Sequence, residues 1–283
     1  MRSSPKGVRQ SVELGYIFIV GCSLTFLFAV ALYALRNIKV AGSKAFFLQI
    51  AFVAVWSIGA LMEMLSATEE GMLLWRNIEQ IGVFLLPVAC VYFAVDYARY
   101  ERLKKYLPLL VIIPIIAILL IFTDSSTHVM RTGYTISYSP LFGKALSVHQ
   151  TIVGVLFVSY NYLLVFIALV ILFVFSRQVA KGMRRQVILV LIATGLVFVL
   201  AFVKTAFFEG TKINLPIVTI YLPGSLILFY NLYQNDFFSV TPIARDKVFD
   251  VIDMGIVVTD SYGRITDLNP WAEQLMKGCF GIQ

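Results

Sequence analysis

The sequence predicts an all-α membrane protein, a bundle of seven transmembrane helices followed by a short α+β segment. Three observations carry this expectation. The chain of 283 residues is 59% hydrophobic and only 14% charged, whereas soluble domains carry about 25% charged residues. Its apolar residues gather into runs of roughly twenty, the length an α-helix needs to cross the hydrocarbon at about 1.5 Å per residue. The stretch "MGIVVTDSYGRITDLNP" near the C-terminus instead alternates apolar and polar residues around a glycine, the pattern of two strands and a turn.

Spans are expected at roughly 14–35, 45–65, 77–97, 107–123, 151–175, 186–207 and 214–233. The basic start "MRSSPKGVRQ" precedes an apolar stretch, as in a secretory signal, but Leu14 to Leu35 is too long for one and no small-residue cleavage site follows. It is read as a retained span. The fourth span opens with Pro108 and holds Pro114, so a kink is expected, with neighbouring helices or water satisfying the freed carbonyls. The connections are short except for 124–150, read as a polar, aromatic, turn-rich loop. Cys22, Cys90 and Cys279 are scattered, without disulfide or metal-ligand spacing.

The net charge of +7 points to loop topology and not to nucleic acid. The loops after the first, third and fifth spans hold eleven Lys and Arg, against about five in the opposite loops, counting Arg76, Arg131, Lys144, Lys204 and Lys212. The positive-inside rule then puts the C-terminus in the cytoplasm and the N-terminal tail, 1–13, outside. Arg2, Lys6 and Arg9 in that tail pull the other way, but three concordant loops outvote it. Residues 14–237 are the membrane domain and 238–253 a cytoplasmic connecting helix, with Thr241 as N-cap and Pro242 at the first helical position. Val248, Val251 and Ile252 share one face of that helix, with Phe249 beside it. From 254 onward, Ile256 to Thr259 form a strand and Gly263 turns the chain. A second strand passes through Ile265 and Leu268, and Asn269 caps a helix that begins at Pro270.

"ARDKVFDVIDMGIVVTDSYGRITDLNPWAEQLM" resembles the opening of a PAS domain, covering about its first third. On that resemblance Pro242, Asp246, Phe249 and Asn269 are signal-coupling residues, and no haem, flavin or other cofactor is assigned. The membrane part resembles the seven-helix N-terminal region of bacterial sensor histidine kinases, found also ahead of diguanylate cyclases. The likeness is carried by "LLWRNIEQIGVFLLPVACVYFAVDYARYER", "PLLVIIPIIAILLIFTDSSTH", "RRQVILVLI" and "PIARDKVFDVIDMGIVVTD". The sixth span lacks the interior proline expected of such a region. The resemblance implies a homodimer in the bacterial plasma membrane, signalling to a PAS and output domain, or through it to a response regulator, with the output half outside this chain.

Ionisable residues at membrane depth are functional candidates by default. Glu79 and Lys204 lie at matching depths, each about a turn from the outer face, as an ion pair requires. Such a pair fastens two helices or lines a ligand pocket, the first being the commoner use. Gln80 offers a further hydrogen bond. Tyr160 and Asn161 fall near mid-membrane; Asn161 reads as helix–helix glue first and a ligand contact second. Trp75 reads as an interfacial anchor first and a pocket wall second. Glu63 and Glu209 read as solvated span ends ahead of ligand contacts. His128 and His149 flank the long outer loop without a carboxylate or cysteine partner, a poor metal signature.

The leading functional reading is a sensory input module for an unidentified small-molecule or membrane ligand. The alternative is a small-solute transporter or channel subunit, although no repeated half or selectivity sequence is present. A retinal protein needs a Schiff-base lysine in the last span, and "LPIVTIYLPGSLILFYNLY" has none. No nucleotide loop, cytoplasmic phosphoacceptor histidine or nucleophile–base set marks the chain as an enzyme.

Overall fold

A computed structural model describes residues 6–39, 41–139, 143–179, 181–205, 217–235, 252–259 and 265–280. Helices α1 (Lys6–Arg36), α2 (Ser43–Leu65) and α3 (Glu69–Tyr97) are followed by a single turn, α4 (Glu101–Lys104), and by α5 (Leu107–Phe122). A second short turn, α6 (Asp124–Thr127), leads into strands β1 (Arg131–Ser139) and β2 (Gly143–Gln150). Then come α7 (Ile152–Gln178), α8 (Lys181–Val203) and α9 (Ile217–Asn235). Six helical segments among the described residues are long and apolar enough to cross a membrane: 14–36, 43–65, 69–97, 101–122, 152–178 and 183–203. Helix α9, of 19 residues with Pro223 inside, packs against α1.

α3 is the axis of the bundle, packed against α2, α5 and α7. Glycines let α2 come close. A Cβ on Gly82 would meet the Phe52 carbonyl oxygen at 2.4 Å, and one on Gly59 would meet Glu79 Cβ at 2.6 Å. Small residues serve membrane helices this way because lipid gives no hydrophobic drive for association, leaving close van der Waals contact and hydrogen bonds. Thr68 starts α3 by accepting the Gly71 N–H at 3.1 Å, with Glu69 and Glu70 in the first turn, where the helix dipole favours negative charge.

The prolines in α3 and α5 each free one carbonyl, that of the residue four before. For Pro114 this is Leu110, whose oxygen accepts from the Tyr160 hydroxyl at 3.1 Å. For Pro87 it is Val83, approached by Asn161 Nδ2 at 3.5 Å. The next residue, Tyr162, donates to Thr205 Oγ1 at 2.7 Å or to the Ala201 carbonyl at 3.3 Å, where the chain continues from α8 as a π-helical turn at 204–205. Three successive residues of α7 thus secure three different helices. Where α1, α3 and α7 end, Asp96 accepts the Gly42 N–H and pairs with Lys104 at 2.6 Å. Gly42 has φ of +86°, a conformation natural only to glycine.

The loop expected at 124–150 needs correction, and with it the expectation of an all-α fold for the part of the chain before residue 238. β1 and β2 form an antiparallel hairpin with Ile136 opposite Leu146 and Tyr134 opposite Val148. The signal is present in "RTGYTISYS", rich in β-branched and aromatic residues, but the turn residues of the segment read as a loop.

The C-terminal unit has the expected elements: β3 (Val257–Thr259) pairs antiparallel with β4 (Ile265–Leu268), followed by helix α10 (Pro270–Phe280). Asn269 is fully buried and joins the ends of this unit. Its Oδ1 accepts the Ala272 and Ile256 N–H groups, both at 2.8 Å, and its Nδ2 donates to the Met254 carbonyl at 2.8 Å. Pro242, Asp246 and Phe249 lie outside the described residues, as does the connecting helix up to residue 251.

If Tyr160 serves the carbonyl released by Pro114, Tyr160→Phe costs about 0.6–1.7 kcal/mol of stability. In a Pro114→Ala background, where the helix N–H returns, the same change costs close to nothing. Equal losses in both backgrounds, read by thermal melting in one detergent, would remove this role.

Candidate functional site

Arg76 stands where α2, α3 and the hairpin meet. Its Nε lies 2.7 Å from Glu63 Oε2, an ion-pair contact without hydrogen-bond alignment, and one Nη donates to Glu63 Oε1 at 3.0 Å. The other Nη donates to Glu79 Oε1 at 2.7 Å. Both carboxylates are 2% exposed, so each depends on the guanidinium for compensation. The geometry follows from sequence spacing. Arg76 and Glu79 are one turn apart on α3, and Gly59 leaves room for Glu79 against α2.

The same two side chains hold the hairpin. The Leu146 N–H donates to Glu63 Oε1 at 2.8 Å, and the Leu146 carbonyl accepts from Arg76 at 2.7 Å. The outer edge of β2, otherwise a row of unsatisfied backbone groups, is thereby closed by an ion pair. Lys144 donates to the Ser66 carbonyl at 2.6 Å, and Arg131 to Asn77 Oδ1 at 2.7 Å. Burial, and the positive charge of Arg76, pull the Arg131 guanidinium below the usual arginine range; arginine stays charged regardless.

Behind this cluster lies a cavity of about 310 Å3, bounded by residues of α1, α2, α3, α7, α8 and α9. Arg76, Glu79, Gln80, Gln150, Lys204 and Thr205 line its polar end. Leu27, Val30, Phe46, Val53, Leu86 and Leu228 line much of the rest. Asn161 is part of the wall; it is 8% exposed, and its Oδ1 has no hydrogen-bond partner among the described residues. On α9, Tyr221, Gly224, Ser225 and Leu228 face the cavity, with Tyr221 edge-on to Trp56.

Of the residues singled out in the sequence, Glu79, Gln80, Lys204 and Asn161 come together at this cavity, while Trp75 and Tyr160 are not among its lining. The ion partner expected for Glu79 needs correction. Lys204 lines the same cavity as Glu79, but the contact at 2.7 Å belongs to Arg76. Glu63, expected at a solvated span end, is buried in the same pair. By sequence Arg76 counts as an outer-loop charge, and only its spacing of three to Glu79 signals the buried role.

Removing one partner of a buried pair costs about 3–5 kcal/mol. Arg76→Met is therefore expected to lower stability strongly, and less so in a Glu63→Gln background, with a coupling above about 1 kcal/mol. The cycle between Lys204→Met and Glu79→Gln is expected to show weaker coupling. Additive losses for Arg76 and Glu63 in chemical denaturation would count against the pair.

Residues 19–242 match the family described as the N-terminal 7TM region of histidine kinase. No curated protein matches the chain. The match spans all of α2 to α9, including the cavity and the Arg76 cluster. The chain belongs to the family of N-terminal seven-transmembrane regions of histidine kinases, the membrane module at the input end of these sensors.

Proposed function

We propose that the chain receives a ligand or membrane signal in its helix bundle and passes it through α9 to a cytoplasmic PAS and output domain, of histidine kinase or diguanylate cyclase type. The carrying observation is the composition of the cavity wall: α9 supplies Tyr221, Gly224, Ser225 and Leu228 to it. An occupant touching these residues has a differential contact with any two positions of α9, which a ligand needs in order to shift a conformational equilibrium. Glu79, Gln80, Lys204 and Asn161 are the ligand-facing polar groups. Trp75 and Tyr160 support the helices around them.

In this reading α9 is the seventh span, the tail at 1–13 is outside and the C-terminus is cytoplasmic, in accord with the basic loops. Residues 238–253 connect the bundle to a PAS domain beginning at 254, with Pro242, Asp246, Phe249 and Asn269 transmitting the motion. The module works as a homodimer in a bacterial plasma membrane.

Two measurements test this. A reporter enzyme fused after Asp236 should be active only in its cytoplasmic form; activity of a periplasm-dependent reporter there would overturn the topology. In a fusion of residues 1–253 to a histidine kinase catalytic core, Gly224→Val should change autophosphorylation by at least about fivefold. A Cβ at Gly224 would meet Val197 Cγ2 at 2.5 Å and push α9 from α8. Unchanged output from a folded variant would argue against transmission through α9.

A further inference from the structure

The chemistry of the cavity restricts what it can hold. A cavity of about 310 Å3 has room for a cluster of waters or for a small-molecule ligand. A cluster of waters needs two to four polar partners each, and much of this wall is carbon. Its polar side chains are largely engaged with one another. Glu79 accepts from Arg76 and from Gln80, Gln49 donates to the Ala89 carbonyl at 3.2 Å, and Tyr162 donates to Thr205. Leaving the space empty would forfeit the dispersion contacts of every side chain around it. A carbon-rich occupant satisfies the wall where water does not.

The polar end argues for a head without charge. Arg76 and Lys204 there face Glu79 and, through Arg76, Glu63. Two charges of each sign offer an ionic head little net attraction against its desolvation. Among the described residues, the wall holds a buried acceptor without a hydrogen-bond partner, Asn161 Oδ1, on a side chain whose Nδ2 approaches the carbonyl of Val83, one turn from Gln80 on α3. A hydroxyl hydrogen suits it; a carboxylate has none to give.

We propose that the cavity binds an uncharged amphiphile, a medium-length hydrocarbon chain ending in a hydroxyl or similar donor. This deepens the sensor reading and rests on the cavity being its ligand site. The occupant's chain lies along Phe46, Val53 and Leu86, and its head lies toward Asn161 and Gln80.

Trp56 lines the cavity and can report on it. The full chain carrying Trp75→Phe and Trp271→Phe, in lipid nanodiscs, leaves Trp56 as its only tryptophan. 10-Bromodecan-1-ol should quench Trp56 saturably, with competition by 1-decanol. Decanoate and decyltrimethylammonium should compete at least tenfold more weakly. Val83→Phe, which fills the space, should abolish the saturable part, while Leu119→Phe on the exposed face of α5 should retain it. Quenching that only rises linearly and is the same in Val83→Phe means bilayer partition alone and overturns the proposal. So does strong quenching of Trp56 by acrylamide with no saturable bromodecanol signal, which marks a hydrated polar site and leaves the sensor reading standing. Equal competition by decanoate overturns the uncharged head.

Discussion

The guanidinium of Arg76 holds together three parts of the molecule that sequence keeps apart. It neutralises a carboxylate on α2 and one on its own helix, and it closes the edge of a hairpin that arrives some 70 residues later. A buried ion pair is poor at adding net stability, because desolvation offsets its attraction. Its strength is in specification: neither Glu63 nor Glu79 has another placement in which its charge is compensated so well, so α2, α3 and β2 are fixed relative to one another. The cavity lies directly beneath this junction and owes its polar end to it.

A second constraint shapes α7. In hydrocarbon every backbone carbonyl needs a partner, and Pro87 and Pro114 each leave one without. Asn161 and Tyr160 turn toward those two carbonyls, and Tyr162 toward the π-helical turn that carries Lys204. One stretch of α7 thus compensates irregularities in three neighbours. The irregularities are themselves useful. Gln80 and Val83 of the proline-containing α3 and Lys204 of the π-helical turn line a common space.

The sequence made the spans legible because twenty-residue apolar runs have almost no other meaning, and the hairpin from 257 to 268 because alternation and glycine coincide there. Asn269 could be read as a cap from its place before Pro270, although its bonds to Met254 and Ile256 depend on how the hairpin folds back. The outer hairpin was harder. The buried residues of its second strand, Ala145 and Leu146, are neighbours, so the alternation that marks a half-buried strand is weak. Arg76 was hidden by its own usefulness: near the end of a span, a basic residue counts equally well as a topology signal or as a buried partner, and only the position of Glu63 across the α2–α3 turn decides between them. The roles of Tyr160 and Asn161 were available in principle, since each lies on a helix facing a proline-containing one, but the pairing of helices is a tertiary fact.

These constraints bear on how such a module could respond. Packed helices move between discrete arrangements more readily than they deform, and the parts most firmly specified here, α2, α3 and α7, are tied by the Arg76 cluster and the proline carbonyls. α9 is held differently. It meets α1 through apolar contact, and it meets α8 through the fit of Gly224 against Val197 and hydrogen bonds from Asn231 to the Gln186 carbonyl and from Arg185 to the Tyr230 hydroxyl. No ion pair among the described residues joins it to the rest. An element joined to its neighbours by packing and hydrogen bonds without a described ion pair, and lining the cavity, is where a change in occupancy would have its largest effect. The rigid frame and the adjustable helix meet at one cavity.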